Sequence, residues 1–195
     1  MRVYMLIDRS GSMQNLVEEA VSSINGYVKA LDKKIEVFLA AFDTISYDVI
    51  RNTTVGKWKD INVDEVSPRG GTPLYDSAAR VVLRALEDNS DRAYIVFMTD
   101  GEENMSRKYN QSEVKALLAQ AENKNYEVVF LGANFDKVGF QATNIGLGGD
   151  KFINYAKGNM TSELNNLATA TMAYASGGTR TSFSDADRTR AAATK

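Results

Sequence analysis

The stretch Val3-Tyr4-Met5-Leu6-Ile7-Asp8-Arg9-Ser10-Gly11-Ser12 decides how this chain is read. Five apolar residues run directly into a carboxylate, two hydroxyls and a glycine. A short apolar run bounded by turn residues predicts a strand buried on both faces of a parallel sheet. Tyr94-Ile95-Val96-Phe97-Met98 repeats the pattern and ends in Thr99-Asp100-Gly101. A third polar segment, Gly70-Gly71-Thr72-Pro73, stands before a helical pattern. The carboxyl ends of strands in open α/β sheets face the crevice where ligands bind. The candidate donors in these segments are all oxygens, which suits a hard divalent cation, Mg²⁺ or Mn²⁺.

Outward from these segments, strand and helix patterns alternate along the whole chain. That alternation predicts an α/β fold, a mainly parallel sheet with helices on both faces. Strands are expected over 3–8, 35–42, 93–99, 127–132 and 151–155, with 46–51 returning as a short antiparallel edge strand. The connection before 46–51 is too short for a helical crossover. Met13, Leu16, Val17, Ala20, Val21, Ile24, Val28 and Leu31 form one helical stripe at spacings of three and four. Further helices are expected over 74–86, 111–123, 136–144 and 162–175, and 55–68 reads as a connecting segment with a short helical turn. From Ser176 onward large apolar residues nearly vanish, so the expected division is a domain over 1–175 and a mobile tail over 176–195.

In an extended segment, residues two apart point the same way. Asp8, Ser10 and Ser12 therefore offer one carboxylate and two hydroxyls to a common point, while Arg9 points elsewhere. Gly11 lets the chain bend into the following helix. Thr72 from a second loop and Asp100 from another strand end complete five oxygen donors, which suits an octahedral site with one open position. Each residue alone has an ordinary explanation. Ser12 before Met13 and Thr72 before Pro73 match helix N-caps, and Asp100-Gly101 is a common turn. Their joint occurrence at matching strand ends favours a site, and a hydroxyl with two lone pairs can serve both purposes. Two helix N-termini beside the site would add positive field. Three neutral hydroxyl ligands would leave a cation incompletely neutralised and open to an anionic sixth ligand. That suits capture of a partner's carboxylate better than catalysis. Asp43, Arg69, Glu102, Glu103, Asn134 and Asp136 fall on loops at the same edge, where they form a candidate partner-selecting rim. Gly146–Gly149 lacks the strand-then-helix context of a dinucleotide fingerprint and reads as a turn.

Composition removes several function classes. Lys and Arg total 23 against 25 Asp and Glu, a net charge of −2 that gives no pull toward nucleic acid or an anionic membrane. Cysteine and histidine are absent, which excludes disulfides, thiolate sites, a cysteine nucleophile and the commonest general base. No apolar run approaches the ~20 residues of a membrane helix, and no secretory pattern precedes the first strand, so a cytoplasmic location is expected.

Asp8-x-Ser10-x-Ser12, then Thr72 in Gly-Gly-Thr-Pro-Leu-Tyr-Asp, then Asp100 in Met-Thr-Asp-Gly, resembles the metal-ion-dependent adhesion site of von Willebrand factor type A domains. The resemblance covers about residues 1–175. It implies a Rossmann-like three-layer sandwich with strand order 3-2-1-4-5-6 and an antiparallel third strand. It also implies that Ser10, Ser12 and Thr72 ligate Mg²⁺ or Mn²⁺, with Asp8 and Asp100 acting directly or through water. The expected function is a non-enzymatic, metal-dependent protein-binding module that takes an Asp or Glu from its partner. Stand-alone domains of this kind occur in bacteria and phages. A haloacid-dehalogenase-type phosphohydrolase would need a second Asp two residues after Asp8, where Ser10 stands, and has no use for the Thr72 loop. A structural phage-particle protein would leave the site incidental and would form obligate oligomers.

Overall fold

The computed structural model describes residues 1–100, 103–132, 145–178 and 181–193. Six strands form one sheet: β1 Arg2–Asp8, β2 Glu36–Phe42, β3 Tyr47–Thr54, β4 Ala93–Thr99, β5 Glu127–Gly132 and β6 Phe152–Asn154. Their order is β3-β2-β1-β4-β5-β6. Only the β2–β3 pair is antiparallel. The apolar runs make β1 and β4 central, where both faces must be covered. In parallel register, Leu6 of β1 lies between Ala40 and Phe97, and Ile7 between Ala41 and Met98.

Successive residues of a strand face opposite sides, so β1 feeds two cores. Val3, Met5 and Ile7 pack with Tyr94, Val96 and Met98 under helices α1 (Val17–Lys29) and α4 (Met160–Ala175). Tyr4 and Leu6 pack with Ile95 and Phe97 under α2 (Leu74–Asp88) and α3 (Gln111–Asn123). The helical stripe begins in a 3₁₀ turn, Gly11–Asn15, before α1 starts. The edge strand β3 is longer than expected and is pinned to β2 through Thr54. The connection over 55–68 contains two 3₁₀ turns, and Asn25 of α1 anchors it by bonding Trp58 Nε1 at 3.2 Å and the Ile61 amide at 3.0 Å. The helix expected over 136–144 lies outside the described residues. Among the described residues no helix is long and apolar enough to cross a membrane.

Beyond Ser176 the structure differs from the expected mobile tail. Residues 185–192 form α5 (Asp185–Ala192), opened by a capping box of Ser184 and Asp187. Its Ala191 is buried, and the Ala191 carbonyl accepts from the Ala156 amide at 2.8 Å and Asn159 Nδ2 at 3.0 Å. The Thr181 carbonyl accepts from Lys151 Nζ, and Phe183 packs against the core. Polar anchors just ahead of β6 and α4 hold a segment whose composition offers little apolar area. That is why apolar content alone misjudged it.

Candidate metal centre

The ends of β1 and β4 lie side by side, which puts Asp8 against Thr99 and Asp100. Asp8 is buried; its Oδ1 accepts the Ser10 amide at 2.7 Å and its Oδ2 accepts Thr99 Oγ1 at 2.5 Å. The Ser10 and Ser12 hydroxyls are 3.0 Å apart, and Ser12 Oγ donates to Asp100 Oδ1 at 2.7 Å. Four of the five expected donors thus form one hydrogen-bonded chain across two strand ends. Thr72 is also buried, on a loop tied to the first by a Gly11 amide to Gly70 carbonyl bond of 3.0 Å. Among the described residues no hydrogen bond joins the Thr72 hydroxyl to the other four.

Arg9 does point away from the hydroxyls, into a buried network. Its Nε donates to Asp43 Oδ2 at 2.7 Å and its Nη2 to Ser46 Oγ at 2.6 Å and to Asp48. Asp43 also receives Arg69 Nε at 2.9 Å and the amides of Ile45 and Ser46 at 2.5 and 3.0 Å. This overturns its assignment to a partner-selecting rim: Asp43 is buried and fully engaged in holding the β2–β3 turn. Glu103 is likewise structural. It accepts the Tyr75 amide at 2.8 Å, the Ser106 amide at 2.7 Å and the Ser106 hydroxyl at 2.6 Å. Glu102, Asn134 and Asp136 lie outside the described residues.

The N-cap reading of the hydroxyls also changes. Ser12 sits inside the 3₁₀ turn, and Thr72 precedes the cap residue Pro73, which has no side-chain cap bond. The first free amides of α2 go instead to Glu103 and to Ser106 Oγ. The helix-terminus field expected at the site is therefore weaker: one helix start is a short 3₁₀ turn, and the other is already met by a carboxylate. Sequence reasoning missed Thr99, Asn104 and Glu103 as supports. Asn104 Oδ1 accepts the Thr72 amide at 3.0 Å, and its own amide donates to the Thr72 carbonyl at 3.2 Å. Their position at the end of β4 or just after it was the one available signal.

Burial pushes the Asp8 carboxyl up to about 6; hydrogen bonds from Thr99 and Ser10 pull against the rise, and Asp100 adds to it. Asp100 is raised as well, by burial first, with the Ser12 bond opposing. Two crowded carboxylates whose charge is costly without a counter-charge suit a cation. A hydroxyl that gives its hydrogen to a neighbour keeps lone pairs free for one. Among the described residues no group of three or more Asp, Glu, His or Cys side chains could hold a metal. A cation here would depend on hydroxyl oxygens, and the donor set of Asp8, Ser10, Ser12, Thr72 and Asp100 fits Mg²⁺ or Mn²⁺.

Known proteins give this geometry a context. No curated protein sequence matches the chain. A von Willebrand factor type A structure from Catenulispora acidiphila is 15% identical with a TM-score of 0.59, covering 88% of this chain and 42% of that one. Proximal thread matrix protein 1 from the mussel byssus is 12% identical with a TM-score of 0.66, covering 86% of this chain and 44% of that one. The manganese-loaded Plasmodium vivax TRAP protein is 15% identical with a TM-score of 0.57, covering 83% of this chain and 70% of that one. This chain thus spans less than half the length of the first two. The profile of the von Willebrand factor type A domain matches residues 3–183. The chain belongs to the von Willebrand factor type A domain family.

Proposed function

We propose that this domain is a non-enzymatic module that binds a partner protein through a divalent cation, Mg²⁺ or Mn²⁺. Asp8, Ser10, Ser12, Thr72 and Asp100 would hold the ion, and a partner's Asp or Glu would take the open position. The observation that carries this reading is the unbroken chain from Asp8 through Ser10 and Ser12 to Asp100 across two adjacent strand ends. The manganese-loaded state of the Plasmodium relative supports the choice of cation. Non-enzymatic action is inferred from the chemistry of the site. With no His or Cys in the chain, neither a Ser–His pair nor a thiolate nucleophile can form at the site. Thr99 and Ser10 give hydrogen bonds to Asp8, which orients the carboxylate and lowers its nucleophilicity.

Calorimetric titration with Mn²⁺ tests the proposal on the wild type, Asp8→Ala, Ser10→Ala and Thr72→Ala. Each variant should bind at least about tenfold more weakly, a loss near 1.4 kcal/mol. Equal affinity in all three would end the assignment. Asp8-dependent phosphate release from simple phosphomonoesters would instead establish a phosphohydrolase.

A further inference from the structure

Beside the Thr72 loop runs an open groove of about 660 Å³, between the β2–β3 turn and the segment that follows β4. It starts one residue from the candidate metal ligand. Thr44 Oγ1 accepts the Gly71 amide at 3.1 Å, and Met105 Cγ lies 2.9 Å from where a Gly71 side chain would begin. Two of the three large apolar side chains most exposed among the described residues line it: Ile45 at 68% and Met105 at 41%.

Charge on this groove is lopsided. Its carboxylates are already satisfied from within. Asp43 is held by Arg9 and Arg69, and Asp76 accepts the amides of Arg107, Lys108 and Tyr109 at 3.0, 2.9 and 2.8 Å. The side chains of Arg80, Arg107 and Lys108 are exposed and line the same groove. None of the three forms an ion pair among the described residues. Arg80 Cζ lies over the Tyr47 ring, 4.1 Å from its centroid, which holds its guanidinium at the groove wall. A surface with unpaired cations and exposed apolar side chains matches a segment carrying acidic and apolar residues together.

We infer that this groove receives the stretch of partner chain that flanks the metal-binding carboxylate, and that this stretch is acidic and apolar. The inference rests on the metal-dependent reading above, which supplies the anchoring carboxylate. Leucine-like side chains would cover Ile45 and Met105, while Glu or Asp side chains would meet Arg107, Lys108 and the Arg80 edge. Such contacts at a partly exposed rim raise the rate of encounter and select among carboxylates.

Two short peptides test it, each with a central aspartate between leucines. One carries glutamates at the remaining positions and the other carries lysines. Binding is measured by fluorescence anisotropy with Mn²⁺ and with chelator, on the wild type, Asp8→Ala and the double variant Arg107→Glu/Lys108→Glu. The double variant should fold normally, because Asp76 is held by the backbone of these residues and not by their side chains. The wild type should prefer the acidic peptide by about tenfold or more, and added salt should shrink the preference. The double variant should abolish or invert it. Chelator or Asp8→Ala should weaken both peptides and leave their ratio in place. If removal of the metal changes nothing while the ratio survives, the metal reading falls and the groove stands. Equal affinities, no binding of the acidic peptide, or an unchanged preference in the double variant would overturn the groove. So would a wild-type dimer, seen by sedimentation, that Ile45→Ser dissociates, since a second copy would then be the occupant.

Discussion

Replacing Arg9 with alanine removes the buried arm that ties the first ligand loop to the β2–β3 turn. The Arg9 side chain is 5% exposed and its partner Asp43 is 0% exposed. Removing one member of a buried ion pair typically costs ~3–5 kcal/mol, because the other charge is left in a poor solvent. Here Asp43 keeps Arg69 Nε at 2.9 Å and two backbone amides, which moves the expectation to about 3 kcal/mol. For a domain of this size that is a fall in Tm of roughly 6–12 °C. Urea unfolding followed by Trp58 fluorescence measures it directly. The pH profile gives a second check. Burial drives the Asp43 carboxyl upward, but hydrogen bonds from Arg69, the Ile45 and Ser46 amides and Arg9 outweigh this and hold it below the usual carboxylate range. A carboxyl lowered on folding stabilises the fold above its unfolded value, and that gain is lost as the pH falls through its folded value. The gap between wild type and Arg9→Ala should therefore narrow in acid. Arg9→Ala combined with Asp43→Asn should recover part of the loss, since no buried carboxylate charge is then left and Arg69, with its side chain 45% exposed, stays solvated. A deficit under about 1 kcal/mol, or one that is the same in acid as at neutral pH, would refute the reasoning.

Two further substitutions separate the site's own constraints from those of the fold. Asp8→Asn should stabilise the metal-free protein at neutral pH: the Asp8 carboxyl is raised from 3.8 to about 6, so its charge costs up to about 3 kcal/mol there. The raised value favours the fold below about pH 4 and this advantage is lost as the pH passes about 6, so the benefit of the variant should appear over that interval. A stability difference that is flat with pH in chelator would contradict this. Gly70→Ala should cost about 2 kcal/mol or more, because Gly70 has φ +66° and an added Cβ would sit 2.3 Å from Thr44 Oγ1. It should also weaken Mn²⁺ binding, since the Gly70 carbonyl holds the Gly11 amide; unchanged Tm and affinity would mean that this clamp is unimportant.

The sheet was legible wherever burial on both faces left a continuous apolar run. The bounds expected for β4, β5 and α3 are those observed, and the strand order follows the family resemblance. The meeting of Asp8, Ser10, Ser12 and Asp100 was legible for the same reason, since adjacent strand ends fix where their loops begin. Residues whose role depends on how a loop folds back were not. Asp43 looks like any acidic turn residue until Arg9 and Arg69 close over it, and Glu103 serves a helix that starts 29 residues earlier, at Leu74. The segment after Ser176 failed for a different reason. Its anchors are carbonyls accepting from Asn159 and Lys151, and backbone acceptors have no signature in side-chain composition.

The central place of β1 has a consequence for how the chain is made. Its partner on one side, β2, follows within the first 42 residues. Its other neighbour ends at Thr99, which is 91 residues after Asp8. At translation rates of ~5–20 residues per second, Val3–Ile7 would wait roughly 5–20 s for β4 after leaving the ribosome. Throughout that interval one edge of this apolar central strand is an open template for the wrong partner. Variants that slow synthesis between Phe42 and Ala93 should therefore lower the yield of folded protein without changing its final stability, a vulnerability of the nascent chain that no property of the finished domain would reveal.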